Sequence, residues 1–215
     1  DKGLAAEKLI KQTRESLANQ LKVEANDIYF TSGGTEANNL AILGITQTLK
    51  TAGTRIITTK IEHPSVLNVF KSLEDSWDVK YLDVNSAGEV NLEQLEEYIT
   101  EDTVLVSIMA VNNELGTIQP IEKIAQLTAQ YQNLYLHVDG IQALGKLELY
   151  PARLGIDLYS TSAHKIYGPK GVGALYVGAN KFENIFRGSN QEQGIRPGTE
   201  NVPGIVGFGT AVNLL

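Results

Sequence analysis

The chain has 215 residues, of which 42% are hydrophobic and 20% charged, a globular composition long enough to bury a sizeable core. Its formal net charge of -7, from 25 acidic against 18 basic residues, gives no electrostatic reason to seek nucleic acid or an anionic membrane. Cysteine is absent, which excludes disulfides, thiolate metal sites and a cysteine nucleophile within these residues.

In chain order, the first segment repeats apolar residues at helical spacing, through Leu4, Leu9, Ile10, Leu17 and Leu21. "DIYFTS" then reads as a strand and "TEANNLAILGITQTLKTAG" as a helix closed by Gly53. "TRIITTK" is a strand, "SVLNVFKSLED" a helix and "DVKYLDV" a strand. "NLEQLEEYI" is a short helix with Asn91 as its N-cap. "TVLVSIMAV" is almost wholly apolar, as expected of a strand buried on both faces of a parallel sheet. "IEKIAQLTAQYQ" is a helix, and "LYLHVDG", "DLYSTSA" and "GVGALYVG" are three more strands. This alternation predicts an α/β fold of three layers, αβα, around a mostly parallel sheet. With no repeat, linker or low-complexity stretch, residues 1–215 are expected to form one domain. The first residues lie inside a helical pattern, and the last, "GFGTAVNLL", form an apolar run without a stop signal. Both ends therefore read as cut, and the chain as part of something longer. No stretch is apolar enough to span a bilayer and no signal-peptide pattern opens the chain, so a cytoplasmic address is expected.

Open parallel sheets bind ligands outside the carboxyl ends of their strands. Five places there carry polar residues. In "TSGGTEANN", Gly34 lets the backbone approach a ligand and Thr35 opens a helix, a good phosphate site or simply a tight capped turn. In "TKIEHPS", His63 could stack on a ring or move a proton, or be a polar loop residue. In "AVNNELGTIQP", the asparagines could bind a ligand oxygen or the backbone of a turn. In "HVDGIQ", Asp139 ends a buried strand and needs a cationic partner, from a ligand or an arginine, and Gln142 lies one turn further on. In "STSAHKIYGPKG", Ser162 and His164 could hold phosphate, and Lys165 is either a loop lysine or one placed for Schiff-base chemistry. A phosphate turn, a ring-stacking histidine, a strand-end aspartate and a later lysine are together what pyridoxal 5'-phosphate requires.

Six stretches, "TSGGTEANNLAI", "EHPSV", "VNNELGTIQPI", "HVDGIQALGK", "SAHKIYGPKGVGALYV" and "GIRPGTEN", together resemble the cysteine desulfurases, pyridoxal phosphate enzymes of fold type I in the class V aminotransferase group. The similarity runs in order from about Gly3 to the last residue. It implies the large cofactor domain of an enzyme converting L-cysteine to L-alanine, with sulfur passed on as a persulfide for iron–sulfur clusters or thio-cofactors. By the same resemblance, Lys165 holds the cofactor, and Thr35, Ser162, His164 and the Gly34 backbone hold its phosphate. His63 stacks on the ring and moves protons, Asp139 pairs with the ring nitrogen, and Asn113 and Gln142 contact the ring hydroxyl. Thr199 reaches the phosphate in a partner subunit, which implies a homodimer, and a sulfur-acceptor protein is expected. Arg196 and Asn201 belong to the motif without an assigned role. The family's persulfide cysteine and substrate-binding arginine lie beyond the last residue here, and most of the small domain is missing, so these residues alone are expected to be inactive. "GSNQEQ" departs from the family's more usual glycines and glutamine, a minor deviation. Two other readings remain: a related class V enzyme such as a selenocysteine lyase, and a non-catalytic cofactor-binding or dimerising fragment. Without its small domain the chain is also expected to expose apolar surface and to associate.

Overall fold

A computed structural model describes residues 2–178 and 182–215. Seven strands form one sheet: β1 (Ile28–Thr31), β2 (Arg55–Thr59), β3 (Asp78–Leu82), β4 (Thr103–Met109), β5 (Tyr135–Asp139), β6 (Leu158–Ser162) and β7 (Gly173–Val177). Their order across the sheet is β1-β7-β6-β5-β4-β2-β3. β7 runs antiparallel to both its neighbours, and every other pairing is parallel. All seven strands read from the sequence are present.

The helices are α1 (Lys2–Leu21), α2 (Gly34–Leu49), α3 (Pro64–Leu73), α4 (Leu92–Tyr98), α5 (Ile121–Thr128), α6 (Pro151–Leu154) and α7 (Val202–Val212). Two apolar cores lie on opposite faces of the sheet. One gathers Leu17 of α1, Leu95 of α4, Ile124 of α5 and Phe208 of α7 over Phe30, Val106 and Val138. The other gathers Leu40 and Ile45 of α2 and Phe70 of α3 over Tyr29, Leu105 and Leu175. Neighbouring strand residues thus feed opposite cores, as the period of two requires. The expected three layers are therefore present.

Local details correct the sequence reading. Gly53 does not close α2, which ends at Leu49 with Lys50 still in a right-handed conformation. Gly53 is small because a Cβ there would meet the Asp102 carbonyl oxygen at 2.3 Å. Thr35 does not open α2 either. Gly33 is its N-cap at φ 149, a backbone region that favours glycine. Asn91 caps α4 as expected, its side chain accepting from Gln94 N at 3.0 Å. Exposed large apolar side chains include Leu4, Leu115, Ile118, Tyr167, Phe186 and Leu214. Among the described residues, no helix is long and apolar enough to cross a membrane.

Candidate active site

The carboxyl ends of β1, β2, β4, β5 and β6 meet at one edge of the sheet, and the turns leaving them line a cleft of about 250 Å³. From the β1 end come Gly34 and Thr35, in the first turn of α2. The first N–H groups of a helix have no intrahelical acceptor and carry the positive end of its dipole. Gly34 packs so closely that an added Cβ would lie 2.1 Å from Ile141 Cδ1. From the β6 end come Ser162, which ends the strand, and His164 and Lys165, in a 3₁₀ turn spanning Ala163–Ile166. Ser162 Oγ and His164 Nδ1 share a hydrogen bond of 2.8 Å, both on the phosphate side of the expected site. Burial, then the charges of Lys165 and Lys170, lower the His164 pKa. The Lys165 side chain makes no hydrogen bond or ion pair among the described residues.

Asp139 ends β5 on the cleft floor, 5% exposed. Its Oδ1 accepts from Ile141 N at 3.0 Å and its Oδ2 from Asn38 Nδ2 at 2.8 Å. No cation forms an ion pair with it among the described residues. Burial raises its pKa, and the two amides with the nearby charges of His63 and Lys165 oppose that without overcoming it. Beneath it, His137 is fully buried between the hydroxyls of Ser107 and Ser160, and burial pushes it down to about 3. It is therefore neutral, and it does not line the cleft.

His63 caps α3 ahead of Pro64, with its Nδ1 accepting from Ser65 N at 3.1 Å. The two asparagines after β4 divide the roles left open by sequence. Asn112 builds the turn, its Oδ1 accepting from Glu114 N and Leu115 N, while exposed Asn113 lines the cleft. Gln142 lines it as well.

Of the residues given a role from sequence, Thr199 lies elsewhere. It borders a second cleft with Arg196, Glu200 and Asn201. Arg196, without a role from sequence, donates from Nε to Glu36 Oε1 at 2.7 Å and so ties this loop to the first turn of α2. Burial raises the Glu36 carboxyl, but hydrogen bonds from Arg196 and Ser32 outweigh it and hold the pKa below its ordinary value. Asn201 caps α7. The "GSNQEQ" deviation is more than minor in structural terms. Its Glu192 is buried, bonded to both terminal nitrogens of Arg14 at 2.7 Å and accepting from Phe30 N at 2.8 Å.

Sequence reasoning missed Asn38, Ser65, Glu62 and Met109. Asn38 follows Gly34 by one helical turn, among the buried positions Ala37, Ala41 and Ile45. A polar residue in such a stripe signals a buried partner. Glu62 is buried, with Oε1 accepting from Thr59 Oγ1 at 2.7 Å and Met109 N at 3.0 Å.

The donor set fits pyridoxal phosphate. A helix N-terminus with a serine–histidine pair suits a phosphate, and a buried carboxylate lacking a cation suits a protonated ring nitrogen. An unpaired lysine at the neighbouring strand end suits an aldehyde.

The aminotransferase class-V family profile matches residues 1–215. The chain is 47% identical over 209 residues to "Cysteine desulfurase IscS" of Clostridium botulinum, covering 96% of this chain and 52% of that one. It is 45% identical over 214 residues to "Putative cysteine desulfurase IscS 1" of Bacillus subtilis, covering 99% and 56%. Among solved structures, "NIFS-LIKE PROTEIN" superposes with a TM-score of 0.96 at 41% identity, covering 100% of this chain and 60% of that one. "SspA in complex with cysteine" superposes with a TM-score of 0.94 at 41% identity, covering 98% and 62%. The chain spans about half the length of the curated relatives it matches.

Proposed function

The chain belongs to the aminotransferase class-V family, and on that premise we propose that the protein is a pyridoxal phosphate-dependent cysteine desulfurase. One observation carries the reading. Asp139, a buried carboxylate in no ion pair among the described residues, and Lys165, a lysine whose side chain makes no hydrogen bond or ion pair among them, face one cleft from adjacent strand ends. The names of the relatives support cysteine as the substrate. Residues 1–215 are proposed to be the large cofactor domain, in a homodimer where Thr199 serves the partner's site. Its exposed position on a cleft away from Lys165 favours that assignment.

When bound, pyridoxal phosphate supplies an electron-accepting ring that stabilises negative charge at an amino acid's Cα. The chain's own residues do the rest. The first turn of α2, Thr35, Ser162 and His164 bind the phosphate. Asp139 would pair with the ring nitrogen, and Lys165 would anchor the cofactor at its aldehyde end. Asn113 and Gln142 orient the ring through its hydroxyl. His63 covers the ring face and moves a proton at its Nε2. With no cysteine here, the thiol that accepts sulfur must come from outside these residues. The 215 residues alone should therefore bind cofactor without transferring sulfur to a thiol of their own.

The test is absorption spectroscopy of the purified full-length protein with pyridoxal phosphate, alongside alanine release from cysteine. A visible band of lysine-bound cofactor that Lys165→Ala abolishes, with loss of alanine release, is the expected result. A protein that never takes up the cofactor overturns the reading.

A further inference from the structure

Two side chains, Asn38 and Ser65, join the Asp139 carboxylate to His63, and the chemistry of each donor fixes every bond's direction. Ser65 N donates to His63 Nδ1 at 3.1 Å. A backbone N–H can only donate, so Nδ1 is the acceptor and the neutral ring's hydrogen is on Nε2. Ser65 Oγ lies 2.8 Å from the same Nδ1, and Asn38 Nδ2 lies 2.9 Å from Ser65 Oγ. An amide nitrogen also only donates. Ser65 Oγ therefore accepts from Asn38, and its own hydrogen goes to His63. The second hydrogen of Asn38 Nδ2 goes to Asp139 Oδ2 at 2.8 Å.

The orientation of Asn38 is the key to this line. Its Oδ1 is buried and has no hydrogen-bond partner, although the residue is completely inaccessible. An orphaned buried acceptor is costly. Flipping the amide would turn Oδ1 toward Asp139 Oδ2, placing two acceptors face to face while Asp139 is ionised. The flip becomes favourable only when Asp139 carries a proton to donate. Asn38 then no longer donates to Ser65, and the serine hydroxyl can turn from His63 to the Asn38 oxygen.

We propose that Asn38 and Ser65 are positioning residues that report the charge of Asp139 to His63, the Ser65 hydroxyl reinforcing at Nδ1 the tautomer set by the Ser65 backbone N–H while Asp139 is ionised. The inference rests on the proposed reaction, since it gives His63 proton work beside the cofactor. It adds a sequence of events to it. A cationic ring nitrogen keeps Asp139 ionised, Asp139 orients Asn38, and the Ser65 hydroxyl then tightens its bond to Nδ1. Nε2 makes no hydrogen bond among the described residues and is left to donate to whatever occupies the cleft. His63 Nδ1 thereby holds the serine hydroxyl's hydrogen bond beside the backbone one only while Asp139 is ionised, and its Nε2–H is held as a hydrogen-bond donor toward the cleft.

Nitrogen-15 NMR of histidine-labelled full-length protein, cofactor-free and cofactor-loaded, tests this. The His63 signals should show Nε2 protonated and Nδ1 bare. Asp139→Asn should shift Nδ1 in the wild-type background and leave it unmoved in Ser65→Ala, where the link is cut. In the loaded enzyme Ser65→Ala should lower kcat about three- to tenfold with little change in KM, and move the pH profile. A His63 signal protonated at Nδ1 overturns the inference, as does an Asp139→Asn shift of equal size in both backgrounds. The NMR results decide the relay whether or not cysteine is consumed. Absence of alanine release overturns the reaction and leaves the relay to those signals.

Discussion

Asp139 and Glu192 are both buried carboxylates, 5% and 8% exposed, yet their electrostatic surroundings are opposite. Glu192 meets both terminal nitrogens of Arg14 and a backbone N–H, and Arg14 in turn sits 4.7 Å over the Phe30 ring and bonds the Ile28 carbonyl. The chain itself supplies the countercharge. Asp139 accepts from two neutral amides and forms no ion pair among the described residues. Burying a charge without a partner is costly, so such a group persists where something outside the chain completes it. Equal burial thus marks an anchor in one case and, in the proposed reading, a binding site in the other. The anchor clamps α1, β1 and the loop before α7, whereas the site sits where five strand ends stop.

The widest break in that contrast comes from removing each carboxylate. Glu192→Ala leaves Arg14 partly buried and unpaired and Phe30 N without its acceptor, and should cost about 3–5 kcal/mol of folding stability. Urea unfolding of the two proteins measures it, and a loss under about 1 kcal/mol would show that the pair is not an anchor. Cofactor uptake per folded molecule should be unchanged. Asp139→Asn should do the reverse. It should leave the cofactor-free protein as stable as before or more so, while cysteine turnover falls about 10²–10³-fold for want of the charge that keeps the ring nitrogen cationic. Retained turnover, or a stability loss matching that of Glu192→Ala, would collapse the distinction.

Much of this was legible beforehand. Strand alternation and turn residues gave the seven strands because a sheet with two covered faces leaves continuous apolar runs such as Thr103–Met109. The cleft residues were legible because strand ends are where a parallel sheet delivers its polar side chains. The contacts behind the cleft were not. Asn38 lies 101 residues from Asp139 in the chain, and Glu192 lies 178 from Arg14. No local pattern encodes such pairings. Thr35 was misplaced by one turn position for a different reason. Glycine at φ 149 can start a helix without a side-chain cap, so the threonine preference carried no weight. "GSNQEQ" looked like a minor deviation because its glutamate is buried only by an arginine near the other end of the chain.

Glu62, a third buried carboxyl, sharpens the comparison most finely, because it is completed by neither a cation nor a ligand. Thr59 and Met109 occupy Oε1, and Oε2 has no hydrogen-bond partner among the described residues. Burial, opposed by those two hydrogen bonds and reinforced by the charge of Asp139, pushes its pKa from 4.5 up to about 8. The folded protein therefore keeps a proton that the unfolded chain gives up between those two values. This group's contribution to stability is full below about pH 4.5 and declines as pH rises toward about 8, by at most about 1.4 kcal/mol per pH unit. Glu62→Gln keeps an acceptor at Oε1 and carries no charge at any pH. Its stability relative to wild type should be near level around pH 5 and should grow toward pH 8, seen as diverging urea midpoints of the cofactor-free proteins. Midpoints that stay parallel across that range would mean that Glu62 is ionised in the fold. The β2–α3 turn carrying His63 would then be held by a charge, as α1 is by Glu192, and not by a neutral acid pinned to the end of β4.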